Sequence, residues 1–178
     1  MTLKSRIDFS KVIPASRIRG EDEQETTELK EMLREASAYL ESFRWCRAIK
    51  TAYIGIGIAG VVGVFLFRIE PAGPEVDEWV WVIVGDLPPA YITVEDAPNP
   101  ACALDAYIGA MEEWVKAAKA GRAVVDLIPV SVPATRESAK QLESRLRFLD
   151  REILKPSQDD LRQGNPHGTS VPGSTGRR

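Results

Sequence analysis

Gly55-Ile56-Gly57-Ile58-Ala59-Gly60 matches G-x-G-x-x-G, the spacing that lets a backbone approach a dinucleotide pyrophosphate. That chemistry needs a strand before the glycines, a helix after them and an acid about 20 residues on to hold the ribose. Here a helical pattern comes first and Val61-Val62-Gly63-Val64-Phe65-Leu66-Phe67, a strand pattern, comes after. Glu75 stands at the right distance but in a Pro-Gly turn, so the glycines read as a tight turn and bulges, and no cofactor is expected. Nucleophilic catalysis needs a base near the nucleophile. The single histidine, His167, lies in a polar tail, and Cys46 and Cys102 read as small buried hydrophobes. No clustered Cys and His stand at zinc-ligand spacing, so no metal site is expected from them. Carboxylates are the remaining catalytic material. Asp86, Glu95, Asp96 and Asp105 fall around two turns at one end of the expected sheet, where they would bind a hard cation or serve as acid and base. Asp86, between Gly85 and Leu87-Pro88-Pro89, equally suits an Asx-type turn.

Aromatic side chains offer binding rather than catalysis. Trp79, Trp81, Tyr91 and Tyr53 suit either a core or a docking face, since tryptophan and tyrosine concentrate at interface centres. With Asp86 they form the candidate binding surface. Trp114 falls on a helical apolar stripe and reads as core.

The elements that would position these residues follow from periodicity. A length of 178 residues suits one domain, and 44% apolar with 28% charged residues is ordinary for a globular chain. A net charge of −3 gives no field to recruit nucleic acid or an anionic membrane, and two cysteines make no disulfide framework. The first residues lack the continuous apolar stretch of a signal peptide.

Residues 1–24 switch from basic to acidic without a period and are expected as a flexible arm. Leu29, Met32, Leu33, Ala36, Leu40 and Phe43 predict a first helix over 27–45, capped by Thr26 or Thr27. Strands are predicted over 49–58, 61–69, 78–85 and 91–94. In the third strand Trp79, Trp81 and Ile83 face one way and Val80, Val82 and Val84 the other, so both faces are apolar. Asn99 caps a second helix with Pro100 at its first position and Gly121 at its end. Residues 124–132, interrupted by Pro129, suit an edge strand or packed loop. A third helix is predicted from Thr135 to Leu154, and residues 155–178 are expected as a disordered tail.

The order αββββαα predicts an α+β domain over 25–154. Its antiparallel four-stranded sheet, with room for a fifth edge strand, would carry its helices on one face.

The stretch Trp79-Val80-Trp81-Val82-Ile83-Val84-Gly85-Asp86-Leu87-Pro88-Pro89-Ala90-Tyr91 resembles uncharacterised bacterial domain families. In those families a tryptophan-bearing strand is followed by a Gly-Asp-Leu-Pro turn and a tyrosine, then by a helix with a proline start, similar to Asn99-Pro100 through Trp114. The resemblance covers residues 79–115. It implies a bacterial cytoplasmic protein and carries no activity, substrate or catalytic residue.

Three functional readings remain. The leading one is a non-catalytic module that binds a protein partner or a second copy of itself, with no nucleic-acid, membrane or small-molecule partner. The second is a small metal- or carboxylate-dependent hydrolase built on the Asp86 turn. The third is a bitopic membrane protein spanning 51–67, a segment free of charge but only about 25 Å long as a helix.

Overall fold

The two central strands are apolar on both sides, and that dictates the layering. In the computed structural model, which describes residues 6–164, strands β1 (Ile13–Pro14), β2 (Cys46–Ile58), β3 (Val62–Pro71), β4 (Trp79–Gly85) and β5 (Ala90–Thr93) form one antiparallel sheet in sequence order. The helices are α1 (Glu23–Glu41), α2 (Pro100–Lys119), α3 (Arg136–Leu149) and a short α4 (Gln158–Gly164). The α+β class and the order from α1 through β2–β5 to α2 and α3 are as the sequence predicts, with β1 added before α1 and α4 after α3.

The helices do not share one face, which corrects the expected layering. Val64, Leu66, Trp79, Trp81 and Ile83 bury one side of the sheet beneath α2 and α3. Phe65, Phe67, Ile69, Val80, Val82 and Val84 bury the other beneath α1. With all helices on one side, the second set would face water at about 25 cal/mol for each Å² of apolar surface exposed. Residues 51–67, considered as a membrane helix, fold instead as parts of β2 and β3 joined at a turn. Among the described residues no helix is long and apolar enough to cross a membrane.

The fifth strand comes from the N-terminal segment, not from 124–132, which is loop. The segment expected as a flexible arm is docked from residue 6 onward. Ile7, Val12 and Ile18 are buried, and the Asp8 N–H donates to the Pro98 carbonyl at 2.8 Å. Ile7 and Val12 join the core on the α2 side and Ile18 the core on the α1 side, so no single helical or strand period marks them in sequence. Ile13 and Pro14 pair with Ile54 and Tyr53 at the sheet edge, where proline's missing N–H costs nothing.

Helix α1 begins before the expected threonines. Asp22 is its cap, accepting from the Glu25 N–H at 2.8 Å. Helix α2 is capped as predicted, with the Asn99 side chain accepting from the Cys102 N–H at 2.9 Å. Asn99 is wholly buried, and its amide also donates to the Asp160 carbonyl at 2.8 Å. That bond anchors α4, within the segment expected as disordered tail. Lys11 adds an ion pair to Asp160 at 2.9 Å, and the Cys102 thiol lies against Gly164, leaving no room for a side chain there. Helix α3 runs to Leu149 and widens into a π turn over Asp150–Leu154. The rest of the expected tail, with His167, lies outside the described residues.

Gly85 ends β4 with φ +144°, and a Cβ there would sit 2.2 Å from the Val61 carbonyl oxygen. Gly109, on the exposed side of α2, has nothing within 4 Å of such a Cβ. Gly85→Ala is therefore expected to cost about 2 kcal/mol or more. Gly109→Ala is expected to gain about 1 kcal/mol from helix propensity. Urea midpoints of the two variants moving in opposite directions check both.

Candidate functional site

The glycines of the G-x-G-x-x-G match serve packing. A Cβ on Gly55 would meet Pro100 Cγ at 2.2 Å, so this glycine lets the start of α2 press onto β2. Gly57 is closed in by Ile54, and Gly60, with φ +72°, turns the β2–β3 hairpin. A strand follows the motif, and a dinucleotide-binding turn requires a helix there.

The four carboxylates singled out in the sequence do not converge. Asp86 is exposed at the β4–β5 turn and pairs with Arg145 of α3 at 3.1 Å. The pair lies at a cavity of about 250 Å³ that Gly60, Val61, Leu87, Ser144, Phe148 and Leu149 also line. Glu95 and Asp96 are exposed on the loop before α2. Asp105, on α2, has its carboxyl pushed up by burial and, second, by the charge of Asp150. Among the described residues no three His, Cys, Asp or Glu side chains gather where they would hold a metal ion. Both cysteines are buried free thiols. Burial raises each thiol, with Glu41 adding to the effect at Cys46 and Asp105 at Cys102, so less of the nucleophilic thiolate is present.

The five candidate binding residues separate into three places. Trp79 and Trp81 are core, 2% and 0% exposed on the α2 side of the sheet. They form no open face because the chain's own α2 and N-terminal segment cover them. Trp81 Nε1 donates to the Ala97 carbonyl at 2.7 Å. Trp79 packs edge-on to Phe9 with centroids 5.3 Å apart and against Tyr53 at 6.1 Å, and its Nε1 has no hydrogen-bond partner among the described residues. Tyr53 is half-buried in this group. Asp86 lies at the opposite end of β4.

Tyr91 stands apart. It projects from the edge strand β5 on the α1 side and is 38% exposed. Three aromatics outside the candidate binding set join it, among them Phe43, which the sequence places on the stripe of the first helix but which lies past its end at Glu41. Phe43 and Trp45 stack with centroids 5.0 Å apart, and Tyr91 meets them edge-on at 5.3 and 5.0 Å. Tyr39 meets Phe43 edge-on at 5.1 Å. Burial raises the Tyr39 hydroxyl above its ordinary value, the Tyr91 hydroxyl adds to that, and a hydrogen bond to the Tyr91 backbone opposes it. Trp45 and Tyr91 line a groove of about 220 Å³ together with Val76, Val80, Thr93, Trp79, Glu75 and Asp77. The helix predicted over 27–45 stops at Glu41, so Phe43 and Trp45 fall instead in the turn before β2.

The separation of core from surface aromatics has a direct test. Trp81→Ala is expected to cost about 4 kcal/mol, as for other buried tryptophans, and Tyr91→Ala about 1 kcal/mol or less. Equal losses in chemical denaturation would contradict this division.

Asp105 gives a pH test. Its raised value means that the folded state holds the proton more tightly than the unfolded state, so stability falls as pH rises through that range. Asp105→Asn is expected to be more stable than the parent at neutral pH. The gain should vanish once pH falls below the ordinary aspartate value of 3.8, as thermal midpoints across pH would report.

No family model, curated protein or solved structure matches this chain.

Proposed function

We propose that this chain is a non-catalytic protein-binding module whose partner covers the aromatic corner formed by Tyr91, Phe43 and Trp45. The observation that carries the reading is a set of mutually packed aromatic rings that reaches solvent beside an edge strand and opens into a groove. Aromatics held in place by one another lose little freedom when a partner covers them, which is why such residues dominate binding hot spots. Edge strand β5 carries no charged residue from Ala90 to Thr93. The opposite edge is guarded by β1, Pro14, Arg47 and Lys50. The reading extends to a bacterial cytoplasmic protein, supported by two buried free thiols and by the resemblance of the Trp79–Tyr91 segment. A second copy of the chain is the other partner that the sequence allows.

A photo-crosslinking side chain placed at position 91 of the full chain tests the proposal in the cells that make the protein. One discrete adduct is expected, with a mass that distinguishes a foreign partner from a second copy. The same label at Val125, 84% exposed in the loop after α2, should give no such band. A position-91 label that yields only the diffuse background seen at Val125 would overturn the assignment.

A further inference from the structure

We propose that the segment docking at this corner is basic: an extended stretch of the partner protein that seats a lysine or arginine in the groove beside Trp45 and Tyr91, facing Glu75 and Asp77. This rests on the protein-binding reading and adds the chemistry of the ligand. The groove lining combines apolar and aromatic side chains with two carboxylates, and among the described residues no Lys or Arg lines it. Among the described residues neither Glu75 nor Asp77 makes an ion pair, whereas the adjacent Glu78 is neutralised by Arg68 at 3.2 Å. The groove therefore offers uncompensated negative charge beside an indole and a phenol. Arg44 and Arg47 flank Trp45 in sequence but do not line the groove.

Size narrows the occupant further. At about 220 Å³ the groove is smaller than the roughly 300 Å³ at which small-molecule pockets begin. One long side chain suits it better than a cofactor. Phe43 stacks on Trp45 at 5.0 Å and fixes the indole, which lines the groove beside Tyr91. A guanidinium or ammonium laid on these rings gains cation–π attraction while its stem covers Val76 and Val80. An acidic side chain would meet like charge from both carboxylates and weaken docking.

Selection of short random-sequence peptides on the immobilised full chain tests this, with Tyr91→Ala as the counter-selection. Enriched peptides are expected to share a lysine or arginine. They should bind the Glu75→Gln, Asp77→Asn double variant about tenfold more weakly, the size of effect that one cation site supplies. Binding should be unchanged in Asp126→Asn, which removes an exposed acid outside the groove. Enriched peptides that depend on Tyr91 but lack a basic residue, or ignore the double variant, would overturn the charge assignment and leave the binding corner standing. Enrichment equal on parent and Tyr91→Ala would overturn both.

Discussion

Six consecutive buried residues, Trp79 to Val84, leave neither side of β4 able to face water, and the remaining layers answer to that requirement. Trp79, Trp81 and Ile83 are closed over by α2, α3 and the N-terminal segment, while Val80, Val82 and Val84 are closed over by α1. Because α1 ends at Glu41, it reaches the corner where β5 meets the loop between β3 and β4 only through Tyr39 in its last turn. Phe43, Trp45 and Tyr91 fill the rest of that corner past the helix end, where Tyr91 is exposed and the other two are half-buried. The surface proposed for binding is thus continuous with the core.

A second constraint sits at the start of α2. Among the described residues Asn99 is the one wholly buried polar side chain that is not aromatic, and it serves both as helix cap and as anchor for α4. A buried amide must have its hydrogen bonds met, because each one left open costs on the order of 1–3 kcal/mol. The Asp160 carbonyl meets one of them, so the C-terminal segment completes the environment of a residue some 60 positions upstream. The Lys11–Asp160 pair brings the N-terminal segment to the same place.

Regular elements were legible in the sequence where one face dominates. The stripe of α2, its Asn-Pro start and the two-way alternation of β4 all follow from single-residue periods, and the structure bears them out. What periodicity could not reach was the N-terminal segment and α4, whose order depends on partners such as Pro98 and Asn99 supplied from across the molecule. The candidate surface divided along the same line. Trp79 and Trp81 were correctly paired on one face, but whether that face was covered depended on α2 and Phe9. Tyr91 was singled out, but Phe43 and Trp45 lie more than 40 residues away and approach it only through the return of the chain across the sheet.

The unequal edges of the sheet carry a consequence for assembly. On the β1 side, a two-residue strand ending in proline, with Arg47 and Lys50 beside it, cannot template another strand. The β5 side carries neither charge nor proline over its four residues, and Tyr39 of α1 bonds to the Tyr91 backbone there. A strand that adds to this sheet is therefore directed to one edge, the edge that carries Tyr91.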